Sequence, residues 1–108
     1  AGVEITRASG ANSFTVKELF AKARELDKKE IRVRGQVVKF TPHIMGRNWI
    51  HLQDGTGNPM HNTHDLVLTS QATVKVGDTV TFTGVVAADR DFGAGYSYKV
   101  LIEQAEPK

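Results

Sequence analysis

Residues 46–57 read Gly-Arg-Asn-Trp-Ile-His-Leu-Gln-Asp-Gly-Thr-Gly, and this stretch decides the fold. Ile50 and Leu52 alternate with aromatic and polar residues, which is the period of a β-strand with one apolar face. The residues of the other face are Trp49, His51 and Gln53. A turn at Asp54-Gly55 then ends the strand. A core explains the apolar face, but Trp49 on the other face needs either a second covering surface or a ligand that stacks on it.

Length and composition limit the class of protein. A chain of 108 residues that is 40% hydrophobic is long enough for one domain with its own core. It contains no cysteine, which excludes disulfides, thiolate metal sites and thiol catalysis. No apolar run approaches the roughly 18 residues that a membrane span needs. The chain begins at Ala1, which fits an exported protein, the interpretation we favour, or a shortened chain. We expect a monomer.

The charge is distributed unevenly along the chain. Residues 1–53 carry ten Lys/Arg against five Asp/Glu, a balance of +5, whereas residues 54–108 carry four against seven, a balance of −3. A basic half suits an anionic partner. Because the whole chain has a net charge of only +2, we expect nucleic-acid binding to be weak and salt-sensitive.

The first 30 residues predict an arm and one helix. Residues 1–12 have no period and are predicted to form a flexible arm or, at 3–6, a short edge strand. Thr15 and Glu18 have the spacing of a capping box, and apolar residues recur at helical spacing after them. We therefore expect one amphipathic helix over about 15–27, at the start of a single domain that covers residues 13–108.

The period changes to two from Glu30 onward, and five strands are predicted. They cover about 30–40, 47–53, 65–69, 79–88 and 96–103. Gly35 and Gly84 interrupt the two longest strands, where a small closed sheet has to bend. The pattern predicts a mainly β fold, a five-stranded Greek-key barrel of the OB type over 30–103, with the helix closing one end. Its predicted core is Leu19, Phe20, Ile31, Val33, Ile50, Leu52, Leu66, Leu68, Val80, Phe82, Val100 and Ile102.

Three segments carry a resemblance to a known family. They are Trp49-Ile50-His51-Leu52-Gln53-Asp54-Gly55-Thr56-Gly57, Arg34-Gly35-Gln36-Val37, and Val76-Gly77-Asp78-Thr79-Val80 followed by Gly84-Val85-Val86. They resemble the strands and turns of OB domains of the tRNA-anticodon-binding type, over about residues 30–103. The whole chain is also similar to small exported bacterial OB-fold proteins.

The resemblance implies a binding face. In OB folds this face is formed by strands two and three and is flanked by the loops that join strands one to two and four to five. Nucleic-acid bases would stack on Trp49 or Tyr96, and arginines would contact phosphate. The predicted site residues are Arg34, Lys39, Arg47, Trp49, His51, Gln53, Arg90, Phe92 and Tyr96. The alternatives are that Trp49 and Tyr96 pack against the protein itself, or that the ligand is a small molecule or a protein partner.

A metal site is the other open alternative. His61-x-x-His64-Asp65 has a spacing that could hold copper or zinc, although loop histidines are usually solvated. The chain has no nucleophile elbow, no phosphate-binding glycine loop with lysine, and no evident carboxylate pair. The sequence therefore predicts a binding module for single-stranded DNA or RNA, without enzymatic activity and without a cofactor.

Overall fold

The computed structural model describes residues 5–108. The elements are α1 (Val16–Ala21), α2 (Ala23–Leu26), β1 (Glu30–Ile44), β2 (Arg47–Gln53), a 3-10 turn (Pro59–His61), β3 (Leu66–Ser70), β4 (Thr79–Asp91) and β5 (Ser97–Pro107). The strands form one sheet in the order β1-β2-β3-β5-β4, and β4 pairs with β1 to close it in a ring. Among the strand pairs of residues 5–108, β3–β5 is the parallel one and the other four are antiparallel. The predicted mainly β fold is confirmed.

Two glycines stand where the neighbouring strand leaves no room for a side chain. A Cβ atom on Gly35 would lie 2.7 Å from Leu52 Cγ, and one on Gly84 would lie 2.5 Å from Ile102 Cγ2. Real Cβ atoms do not come this close to other heavy atoms, so a side chain at either position would push the strands apart. The pairing of β4 with β5 also shifts register at Gly84. Both glycines are therefore needed for the sheet to bend into a ring.

The inside of the ring holds one apolar core. Eleven of the twelve residues predicted for it are buried there, and the twelfth, Val80, packs against it half-buried. The core prediction is confirmed because the period-two pattern fixes which side of each strand faces inward.

The turn that follows β2 fixes the start of the helical segment. The buried carboxylate of Asp54 accepts hydrogen bonds from the backbone N–H of Val16 at 2.9 Å and of Thr56 at 3.0 Å. The hydroxyl of Thr56 accepts another from the backbone N–H of Lys17 at 2.9 Å. The first N–H groups of a helix have no partner within the helix. The Asp-Gly-Thr-Gly turn thus supplies acceptors that attach α1 to the sheet.

The prediction of one continuous helix over 15–27 is wrong. The capping box is present, since Thr15 accepts from the Glu18 N–H and Glu18 accepts from the Thr15 N–H. At Lys22, however, the backbone leaves helical geometry with φ −112° and ψ 16°, so α1 and α2 are separate short helices. Beyond the end of α2, Lys28 and Lys29 form backbone hydrogen bonds with Val86 of β4. This attachment requires the chain to turn towards β4.

The described part of the arm, residues 5–12, is attached to the sheet. Ile5 donates its backbone N–H to the Asp54 carbonyl. On the edge of β1 that faces away from β4, Arg32 donates its backbone N–H to the Asn12 carbonyl and accepts from the Phe14 N–H. Ala8 is buried. Because β2 does not reach this part of β1, the arm lies along the open strand edge. The predicted edge strand begins at residues that lie outside the described range, and residues 5 and 6 are not in a strand.

Both hairpins are longer than the sequence predicts. β1 runs to Ile44 and β2 starts at Arg47, which leaves a two-residue tip of Met45 and Gly46 instead of a loop of six or more residues. Both tip residues have positive φ, 55° and 76°, as a tight hairpin turn requires. The β4–β5 hairpin likewise extends to Asp91 and Ser97. None of the helices in residues 5–108 has the length and apolarity needed to span a membrane.

Candidate functional site

A second apolar cluster covers part of the outside of the ring. Trp49, Val67, Ala87 and Leu101, one from each of β2, β3, β4 and β5, are buried there, although each points away from the main core. Phe92 and Tyr98, from the tip of the β4–β5 hairpin, pack against them. The hairpin tip therefore folds over the outer face of β2 and β3.

Trp49 is covered by the protein itself, with 7% of its surface exposed. Its ring stacks on Tyr98 at 5.9 Å between centroids and forms a T-shaped pair with the Phe92 ring at 5.6 Å between centroids. Its indole N–H donates to the Ile44 carbonyl at 2.9 Å. The ring face and the polar atom are both used internally, so the expectation that a base stacks on Trp49 is corrected. Trp49 connects the β1–β2 tip to the β4–β5 tip.

Arg47 and Arg90 lie on either side of one carboxylate beside this cluster. Arg90 Nη1 is 3.0 Å from Glu103 Oε1, and Arg47 Nη1 is 3.8 Å from Glu103 Oε2. Arg90 also lies over the Phe92 ring at 5.3 Å. Two cations thus share one carboxylate, and the second carboxylate of the neighbouring cleft, Glu106, forms no ion pair with either arginine. The structure thus brings together three predicted site residues, Arg47, Arg90 and Phe92, around Trp49.

Arg47 and Arg90 border an open cleft of about 850 Å³. The cleft lies between the β1–β2 tip, the end of β3 and the outer side of β5, and it is lined by Met45, Gly46, Arg47, Thr69, Ser70, Gln71, Ala72, Arg90, Glu103, Gln104, Ala105 and Glu106. Buried Asn48 fixes its walls, accepting from the His43 N–H at 3.1 Å and donating to the Ala72 carbonyl at 2.9 Å. The sequence carried one signal for Asn48, a polar residue at an inward position of β2.

Tyr96 is the predicted stacking residue that the structure leaves open. It lies at the tip of the β4–β5 hairpin with 64% of its surface exposed. Its backbone closes the turn, bonding to Phe92 and Gly93. A ring held on an ordered turn and exposed to solvent can stack on a planar ligand.

His51, Gln53 and Lys39 occupy a separate part of the same outer face. His51 Nδ1 lies 2.6 Å from one oxygen of Asp65, and Gln53 donates to the other at 3.1 Å. Burial alone would raise the pKa of Asp65, but the hydrogen bonds from His51 and Gln53, with the charges of His51 and His64, hold this pKa below its ordinary value. Lys39 is exposed beside His51 in the neighbouring strand. Sequence reasoning missed Asp65 as the anion that organises this group.

Arg34 is not brought to this face. It stands on β1 opposite Thr81 of β4 and lines a different groove. Alternation along β1 places its side chain outward, but the closure of the ring determines which outer surface it reaches.

The two histidines of the metal alternative do not form a ligand set. His61 is exposed in the 3-10 turn, and His64 is half-buried with its Nδ1 atom lacking a hydrogen-bond partner. Within the described range, no three His, Asp or Glu side chains converge to hold a metal ion.

Compared with known proteins, the chain matches no protein-family model and no curated protein sequence.

Proposed function

We propose that this chain is an OB-type Greek-key barrel that binds single-stranded nucleic acid, without catalysis, on the outer face between its two long hairpins. The strand order β1-β2-β3-β5-β4, with the parallel β3–β5 pair, supports this fold type. In OB barrels the hairpins that join strands one to two and four to five flank the nucleic-acid groove.

One observation carries the proposal. The tips of the β1–β2 and β4–β5 hairpins meet over Trp49 and bring Arg47 and Arg90 to the edge of one open cleft. Guanidinium groups match the geometry of phosphate oxygens. Tyr96 lies on the second hairpin, outside the residues that line the cleft, and exposes its ring for a base. Cations next to an aromatic platform are what sequence-tolerant binding of single strands uses.

The other predicted residues take different roles in this proposal. Trp49 supports the groove by packing the hairpins together. His51 and Gln53 are held by anionic Asp65, so this part of the face suits base edges better than phosphate. Lys39 is exposed next to them and supplies the cation there.

The test is the affinity for a short oligothymidylate, measured by fluorescence polarisation over a series of salt concentrations. Tyr96→Ala should weaken binding by about 1–3 kcal/mol with an unchanged salt dependence, since only stacking is lost. Arg47→Gln should weaken binding and flatten the slope of log affinity against log salt by about 0.7, the value for one single-strand phosphate contact.

Arg24→Gln is the matched control. Its side chain is 87% exposed, it pairs with Asp89, and it lies on α2 outside the cleft, yet the change in net charge is the same. The control should leave the affinity nearly unchanged. If it weakens binding as much as Arg47→Gln does, attraction is due to overall charge and the cleft is not the site.

A further inference from the structure

A second groove lies on the outer face of β1 and β4 and shares no lining residue with the cleft. The arm forms one wall with residues 6–9, and the strands contribute the other. The groove has a volume of about 600 Å³ and is lined by Thr6, Arg7, Ala8, Ser9, Arg32, Arg34, Thr81 and Lys108. Half of these residues are cationic, and the lining includes no Asp or Glu.

The positive charge of this groove is only partly compensated. Arg7 forms a two-pronged ion pair with Glu18, with both N···O distances at 2.9 Å. For Arg32 and Arg34, no carboxylate among residues 5–108 lies within ion-pair distance. The groove therefore keeps a local excess of positive charge although the chain as a whole is nearly neutral.

The arm holds the two guanidinium groups in place without neutralising them. Arg32 donates one N–H to the Ser9 carbonyl at 3.3 Å, and Arg34 donates one to the Thr6 carbonyl at 3.2 Å. A guanidinium has five N–H donors, so most of the donors of each remain for a ligand. The pairing of β1 with β4 sets Thr81 directly opposite Arg34, and its hydroxyl adds a further donor to the groove.

The spacing of the arginines suits a chain of anions. Arg32 and Arg34 are two residues apart on one face of β1, a separation of about 7 Å along the strand. Each can therefore contact a different phosphate of one extended molecule, and each guanidinium fork can form two parallel bonds with phosphate oxygens.

We propose that this groove is a second binding site, which takes adjacent phosphate groups of an extended polyanion. The site is independent of stacking, since its lining contains no aromatic residue. It would add a phosphate contact surface on the side of the ring that the cleft does not reach.

Tripolyphosphate is the probe that isolates this site, because it carries linked phosphates and no base. In an NMR titration of the wild-type protein, the side-chain Nε–Hε signals of Arg32 and Arg34 should shift. Arg34→Gln should weaken tripolyphosphate binding about ten-fold, which corresponds to about 1.4 kcal/mol. Arg34→Lys should retain part of the affinity, because it keeps the charge and loses the fork. Arg24→Gln should bind as the wild type does.

Three results would overturn the proposal. The first is that the Arg32 and Arg34 signals stay unshifted in the wild type. The second is that binding depends on Arg47 and not on Arg34. The third is that inorganic phosphate binds as tightly as tripolyphosphate, which would make the groove a site for a single free anion. The wild-type titration needs no substitution, so a variant that fails to fold does not affect it.

Discussion

Trp49→Ala separates a structural tryptophan from a ligand-stacking one. The ring is 7% exposed and contacts the rings of Tyr98 and Phe92. Truncating a buried tryptophan to alanine costs about 3–5 kcal/mol of unfolding free energy, because a cavity forms and packing is lost. At about 4 °C per kcal/mol for a domain of this size, the melting temperature should fall by about 12–20 °C.

Thermal and urea unfolding followed by circular dichroism measure this loss. Tyr96→Ala is the control, since it removes an aromatic ring of the same hairpin that is 64% exposed, and it should change stability by no more than about 0.5 kcal/mol. Trp49 is the single tryptophan, so its fluorescence in the wild type should also resist quenching by acrylamide. A loss below about 1 kcal/mol for Trp49→Ala would refute the packing described here.

The remaining predictions concern the core, the turn and one carboxylate. Leu52→Ala should cost about 2–5 kcal/mol in urea unfolding, as for a buried large-to-small change, and a loss below about 1 kcal/mol would place Leu52 outside the core. Asp54→Ala removes the charged group that accepts a hydrogen bond from the Val16 N–H. It should lower the free energy of unfolding by about 1.5–3 kcal/mol and speed hydrogen exchange at α1. Unchanged exchange at α1 would contradict this prediction. The folded pKa of Asp65 is lowered, so its carboxylate stabilises the fold above its unfolded pKa of about 3.9 and this contribution is lost as pH falls through the folded value. The stability difference between wild type and Asp65→Asn should thus shrink as pH falls below about 4; a difference that stays the same across this acid range would contradict this.

Local patterns in the sequence were sufficient to predict the closed sheet and the residues of its core. The alternation around Ile50 and Leu52 fixes the inward side of β2, and mid-strand Gly35 and Gly84 mark where strands cross closely. The capping box at Thr15 is also a local signal, and it is present. Each of these features depends on residues that are close together in the chain, which is why the sequence predicts them.

Contacts between distant segments were not predictable in the same way. Trp49 is covered by Phe92 and Tyr98, which lie more than 40 residues further along the chain, and no pattern near Trp49 reveals them. The helical segment is interrupted at Lys22, and the residues after α2, Lys28 and Lys29, bond to β4. The closure of the ring places Arg34 on a different outer surface from the other predicted site residues.

Binding at the cleft can be decided by an NMR titration of the labelled protein with a short oligothymidylate at low salt. If the cleft binds single strands, the side-chain signals of Arg47 and Arg90 and the ring signals of Tyr96 shift together and saturate with one affinity. If none of the three shifts at millimolar oligonucleotide, the cleft does not bind single-stranded nucleic acid and the proposed function is wrong.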